Sequence, residues 1–387
     1  MPRLVGSEMC IRDRNWSRSA VAGAVSLGTF VGGIAQPISG ALADRYGTRV
    51  ITSLGILLLG LAFFALASIS EVWHLFVSYT IARAITMATI SGVTPRTAAV
   101  NWFRRKRGRA LGIVSTAPAL GSAITAIFAR SLTGSGVDWR SVFLIFGIAS
   151  LLMLPLTLGI LRRKPEDLGL LPDGAKQEDF DSQVSEDLRV REPAFSLNQA
   201  RKTTAFWLIT FSLGLTAMVV GALQVHTIPM LYDAGLSLEL AGTVVAIYTF
   251  LAMGSRVVGG YFGDRIPKPW LIFGFSIIQA IGVLAAMFIH DIFTALLFAC
   301  LFGMGWGGRG ALFTALRGDY FGRKAFATIF GLSAFFLSGT SVMAPLFAGF
   351  MFDSFGNYDI ALFIFAIINI LGAILVLFAK KPTLNSV

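Results

Sequence analysis

The chain has 387 residues, of which 55% are hydrophobic and only 14% charged, with a mean hydropathy of +0.73. A water-soluble domain of this length has no way to bury that much apolar surface, so composition excludes it and points to a membrane. The net charge of +11 does not mark a nucleic-acid binder, because the Lys and Arg residues fall between apolar runs, where they report topology.

A spanning helix needs about 20 mostly apolar residues. Eleven such runs are predicted, over 19–42, 50–69, 73–99, 110–132, 139–161, 204–230, 238–262, 270–289, 292–316, 325–350 and 360–379. They are continuous and do not alternate, which excludes a membrane β-barrel. The fold class is therefore an all-α membrane protein.

The loops between the runs alternate in charge. One set carries Arg45, Arg49, Arg104, Arg105, Lys106, Arg107, Arg109, Arg162, Arg163, Lys164, Arg265, Lys268, Arg317, Arg323, Lys324, Lys380 and Lys381. The other carries Glu71, Asp138, Asp233, Glu239, Asp291, Asp353 and Asp359. The positive-inside rule assigns the first set, and the C-terminus, to the cytoplasmic side of a cell (inner or plasma) membrane. Residues 162–203 form the longest polar stretch, acidic in its middle, and are expected to be a cytoplasmic linker. It separates an N-terminal bundle over 15–161 from a C-terminal bundle over 204–387.

The two halves repeat one another. Thr29-Phe30 followed by Gly40 and Asp44-Arg45 matches Thr249-Phe250 followed by Gly260 and Asp264-Arg265 at the same spacing. Trp102-Phe103 with Arg105-Lys106 matches Tyr320-Phe321 with Arg323-Lys324. Duplicated halves joined by a linker are a transporter pattern.

Three arginines stand out inside apolar runs: Arg83, Arg256 and Arg309, with no Asp or Glu at mid-span in any run. A charge in hydrocarbon costs at least about 2.5–3.5 kcal/mol, so each needs a partner, and an anionic substrate would supply one. Structural alternatives stand beside that reading: Arg83 as a strut on glycine-rich backbone, and Arg309 reaching an interface along its stem. His226 is a candidate proton-linked group, because histidine as a residue type changes charge in the physiological range, although it sits near the end of its run, where a solvated histidine needs no role. Gly303-Met-Gly305-Trp-Gly-Gly308 matches a dinucleotide fingerprint, but without a preceding strand it reads as close helix packing. No catalytic set, metal spacing, Walker loop or cofactor motif is present, so the chain is not read as an enzyme, and Cys10 and Cys300 form no disulfide framework.

The segment Gly40-Ala-Leu-Ala-Asp44-Arg45-Tyr-Gly47-Thr-Arg49 resembles the loop motif of the major facilitator superfamily. Gly260 with Asp264-Arg265 resembles its second copy, and Gly112, Ala117-Pro118 and Gly121 its fifth-helix motif. Trp16-Ser-Arg-Ser19, Arg163-Lys-Pro-Glu-Asp-Leu-Gly169 with Pro172-Asp-Gly174, Phe206-Trp207, and His226-Thr-Ile-Pro229 before Gly235-Leu-Ser237 are similar to the oxalate/formate antiporter and monocarboxylate porter branch. The resemblance covers residues 15–381. It implies a two-bundle fold and alternating access to a central cavity. It also implies a small monocarboxylate-like anion moved with a proton or a counter-anion, no cofactor, a lipid bilayer as surroundings, a monomer, and no nucleic-acid partner. Arg256 falls where that branch places a substrate-binding arginine; Arg309, Arg83 and His226 are the further substrate candidates. Gly40, Asp44, Arg45, Arg49, Gly260, Asp264 and Arg265 are the expected conformational switch. The chain departs from the branch in having no lysine in 325–350, and Ala252 where animal carriers have an aspartate. The family has twelve spans, so its first helix is expected to be missing and residues 1–14 to be a non-native leader. A drug or amphiphile exporter would want a cavity carboxylate for cations, and a non-transporting sensor would want a soluble appendage; neither is visible.

Overall fold

The computed structural model describes residues 18–175 and 193–383. Eleven of its helices are long and apolar enough to cross a membrane, matching the eleven predicted runs. They are α1 Arg18–Tyr46, α2 Thr48–Ala67, α3 Val72–Trp102, α4 Arg107–Gly134, α5 Trp139–Ile160, α6 Thr204–Asp233, α7 Leu238–Gly263, α8 Lys268–Phe288, α9 Ile292–Phe321, α10 Phe326–Phe355 and α11 Asp359–Leu377. There is no strand among the described residues. The expected leader over 1–14, Cys10 and the acidic middle of the linker lie outside the described residues.

Several helices overrun the apolar runs because their polar last turns leave hydrocarbon while remaining hydrogen-bonded; α9, for example, continues through Arg317 and Asp319 to Phe321. Prolines inside spans are expected to kink them, and the outcomes vary. Pro155 follows a break at Met153 that divides α5, whereas Pro37, Pro118, Pro229 and Pro345 sit within unbroken helices. Pro95 has the largest local effect. It has no N–H to give the carbonyl one turn back, and the preceding stretch, Thr86–Val93, winds as a π-helix. Arg96 Nη1 takes over as donor, bonding Ser91 O and Gly92 O at 2.6 Å each, and the Arg96 guanidinium lies 5.4 Å from the Phe330 ring centroid.

The chain forms two compact units. The first comprises Met1–Trp102, Ala117–Leu171 and Phe326–Phe335. In it α1 packs on α3 and α2 on α5, around Ala24, Ala62, Leu66, Leu75, Ala82 and Trp139. The second comprises Phe103–Thr116, Pro172–Ala325 and Phe336–Val387. There α9 packs on both α7 and α8, and α11 on α6 and α8, around a core that includes Leu223, Tyr248, Phe298, Phe302 and Phe365. Helices α4 and α10 each serve both units, because the first ten or so residues of each belong to a different unit from the rest.

Glycines let the helices of the second unit meet backbone to backbone. A Cβ on Gly303 would lie 2.5 Å from Tyr248 O, one on Gly305 would lie 2.5 Å from Gln279 N, and one on Gly259 would lie 2.5 Å from Gly308 O. The Gly303–Gly308 run is thus a packing surface of α9 against α7 and α8, as its place inside a spanning run predicts.

Candidate functional site

Arg256 stands on α7 in the second unit and is half-buried. Its Nη1 donates to Ser115 O of α4 at 2.8 Å, and its Cζ lies 5.1 Å from the Trp306 ring centroid on α9. Trp306 in turn packs edge-on against Tyr248, with centroids 6.3 Å apart. The local sequence makes this geometry available: Gly112 lets α4 approach so closely that a Cβ there would lie 2.6 Å from Arg256 O. A guanidinium carries five N–H donors. Among the described residues, Arg256 has no hydrogen bond beyond the one to Ser115 and no carboxylate partner. One edge is fixed by a carbonyl and one face by an indole, and the remaining donors are uncommitted.

Arg309, one turn along α9 from Trp306, is differently placed. It is 2% exposed. Its Nε donates to Gln279 Oε1 at 2.8 Å, Nη1 to Thr216 Oγ1 at 2.7 Å and Nη2 to Thr216 O at 2.7 Å. These bonds tie α9 to α8 and α6, and neutral groups meet the charge that the sequence left without a counter-ion.

His226, on α6, is half-buried. Its Nε2 lies 2.9 Å from Pro345 O and its Nδ1 lies 3.1 Å from the Tyr358 hydroxyl. A carbonyl only accepts, so Nε2 carries a proton, and in the neutral ring Nδ1 accepts from Tyr358. Burial first, and then the charges of Asp233 and Asp353, hold the Tyr358 hydroxyl above the usual tyrosine range. Arg83 belongs to the first unit, where a Cβ on Gly28 would lie 2.9 Å from its own Cβ. The structure therefore gathers Arg256, Arg309 and His226 into one unit and leaves Arg83 in the other.

The two repeated aspartates make equivalent contacts. Asp44, at the end of α1, accepts from Ala327 N at 3.2 Å, Thr328 N at 2.8 Å and Thr328 Oγ1 at 2.6 Å, all in the first turn of α10. Asp264, just past α7, accepts from Gly108 N at 2.6 Å, Arg109 N at 3.2 Å and Arg109 Nε at 3.0 Å in the first turn of α4. Each carboxylate thus caps the N-terminus of a neighbouring helix, where unpaired N–H groups and the helix dipole favour negative charge. Gly40 and Gly260 permit the approach: a Cβ on Gly40 would lie 2.9 Å from Thr328 Cα, and one on Gly260 would lie 3.3 Å from Arg109 N and collide with Gly108 O.

The motif arginines are turned elsewhere. Arg45 lies over its neighbour Tyr46 and Arg265 over Tyr261, at 5.2 and 3.7 Å from the ring centroids. Arg49 is half-buried in the first turn of α2 and makes no hydrogen bond to Asp44. Instead Arg163 Nη2 donates to the Asp44 carbonyl at 2.7 Å.

Sequence reasoning missed Arg96, Arg109, Asp173 and Asp319. Arg96 was findable, since it lies inside the 73–99 run directly after a proline. The others act through partners more than 50 residues away, and nothing in the local sequence signals that.

The family model described as Major Facilitator Superfamily matches residues 5–332 and 227–387. The human monocarboxylate transporter 11 is 25% identical over 84% of this chain and 67% of its own length. The oxalate:formate antiporter of Oxalobacter formigenes is 25% identical over 86% of this chain and 75% of its own. Among solved structures, the proton:xylose symporter XylE superposes with a TM-score of 0.73 at 18% identity, covering 98% of this chain and 91% of that one.

Proposed function

We propose that this chain, which belongs to the Major Facilitator Superfamily, is a secondary active carrier of a small organic anion, monocarboxylate-like in size. One observation carries the reading: Arg256 lies within a spanning helix with no carboxylate partner among the described residues and with guanidinium donors left over. Burying such a charge unpaired is costly. A carboxylate arriving at the uncommitted edge would neutralise it through two parallel hydrogen bonds. The similarity to monocarboxylate and oxalate:formate carriers supports the same chemistry.

The remaining candidates take different roles in this reading. Arg309, with its bonds to Gln279 and Thr216, holds three helices together. His226 and Tyr358 form a polar pair linking α6 to the region between α10 and α11, a candidate proton-responsive contact. Arg83, in the first unit, is a further anion candidate. Asp44 and Asp264 act as latches whose release accompanies alternating access, coupled to a proton or to a counter-transported anion. The basic loops, the linker and the C-terminus face the cytoplasm of a cell membrane, and the carrier works as a monomer.

The test is an uptake screen in proteoliposomes with radiolabelled formate, lactate, pyruvate, oxalate and a larger amphiphilic cation. The reading expects saturable uptake of at least one carboxylate and none of the cation. Uptake of the cation alone would replace it with an exporter of amphiphiles.

A further inference from the structure

The segment that opens α4 reads Arg104-Arg105-Lys106-Arg107-Gly108-Arg109, with five basic residues in six. Three aspartates from distant parts of the second unit hold it. Asp173 takes the first three amides: Arg105 N donates to Oδ2 at 2.8 Å, Lys106 N to Oδ1 at 2.9 Å, and Arg104 N to both oxygens at 3.1 and 3.2 Å. Asp319 takes the Arg107 side chain at 2.7 Å and also pairs with Lys268 at 2.6 Å. Asp264 takes the amides of Gly108 and Arg109.

Asp173 therefore grips the residues immediately before the amides that Asp264 uses, without touching those amides itself. It comes from the Pro172-Asp-Gly174 turn near the start of the linker, with Asp173 at φ 63°, a region that Asp and Asn tolerate better than most residues. With its carboxylate in place, residues 104–106 cannot swing, and the first turn of α4 starts in a fixed direction. The Gly108 and Arg109 N–H groups that donate to Asp264 follow within that same turn.

We propose that Asp173 is a positioning residue for the transport cycle: the Pro172–Gly174 turn of the linker sets how firmly the Asp264 latch closes. This rests on the reading of Asp264 as a latch, and the experiment separates the two.

The full-length protein is compared with Asp173→Asn, Asp264→Asn and the double variant. Asn keeps the left-handed backbone while removing the charge and an acceptor; Asp173→Ser repeats the test should the Asn variant fail to fold. Amide hydrogen exchange is read separately at 104–106 and at 108–109. Latch opening is read from maleimide labelling of Ala110→Cys, after Cys10 and Cys300 are replaced by Ser; Ala110 is 9% exposed on the same turn. In Asp173→Asn, exchange at Gly108 and Arg109 should rise by about fivefold or more, the low end of coupling between linked sites. Labelling should accelerate alongside, and the effect should not add to that of Asp264→Asn.

Faster exchange confined to 104–106, or additive effects, would overturn the proposal and reduce Asp173 to a loop brace. If Asp264→Asn exposes its amides yet leaves labelling at the wild-type rate, the latch reading fails, and the transport role of Asp173 fails with it. If Asp264→Asn speeds labelling and Asp173→Asn does not, only Asp173 loses its role.

Discussion

Replacing Arg256 tests the proposed anion site most directly, and its magnitude follows from the donors. One of the five guanidinium N–H groups is spent on Ser115 O, which leaves enough for a two-point grip on a carboxylate. Arg256→Lys keeps the charge, but a single ammonium nitrogen must serve both Ser115 and the substrate, so the planar pair is lost. Losing one charge-assisted hydrogen bond costs about 1.5–3 kcal/mol, which weakens Kd by roughly 10- to 150-fold. The Trp306 indole still faces a cation in the Lys variant and so does not widen the gap. Arg256→Ala loses both bonds, about 3–6 kcal/mol if they add, and should show no saturable binding. The assay is equilibrium binding of whichever carboxylate the uptake screen identifies, to purified wild type and both variants, with thermal unfolding measured in parallel. Relieving an uncompensated charge should leave the Ala variant at least as stable as wild type. Normal affinity in Arg256→Ala would refute the reasoning and move the anchor elsewhere. A collapse of stability in that variant, with wild-type affinity in Arg256→Lys, would make the residue a strut.

Other perturbations should separate the remaining roles. Arg309→Met strands buried Gln279 and Thr216, so it should lower stability by about 1–3 kcal/mol in thermal unfolding while leaving Kd unchanged; a selective loss of affinity would place Arg309 in the site. Asp44→Asn weakens the cap on α10 by about 1.5–3 kcal/mol; cysteine labelling near residue 327 should accelerate at constant substrate affinity, and an unchanged rate with a tenfold weaker Kd would sink the latch assignment. Gly259→Leu drives a side chain into the α9 backbone at Gly308 and should prevent recovery of folded protein, whereas Gly254→Leu, with nothing within 4 Å, should be tolerated in the same purification assay. For Tyr358, whose hydroxyl is held above its usual value, the folded state keeps the proton longer than the unfolded one. Its stabilising contribution is thus complete below about pH 10 and lost as pH rises beyond that. Alkaline unfolding of Tyr358→Phe should show a shallower fall above that pH than wild type, and identical curves would count against a hydroxyl raised by burial and by Asp233 and Asp353.

The number and kind of elements were legible in the chain because hydrocarbon imposes a length and a polarity on any segment that crosses it. The runs 50–69 and 292–316 emerge as α2 and α9 with little change at their starts, and the repeated Gly and Asp positions announced that Asp44 and Asp264 would do equivalent things. Arg256 was visible too, since an arginine inside an apolar run stands out without any fold. What each charge touches was decided only by tertiary packing. Arg256 and Arg309 look alike in sequence, yet α9 turns one side chain inward to Gln279 and Thr216, while α7 leaves the other half-committed beside Ser115 and Trp306. The motif arginines Arg45 and Arg265 adjoin these aspartates in sequence, but the carboxylates sit at helix N-termini brought close by glycines, which offer several N–H donors already aimed in one direction. Asp173 shows the same limit: its partners lie 67 to 69 residues earlier, and a hydrogen bond reaches about 3 Å, so only the folded chain can say which distant amides fall within that distance.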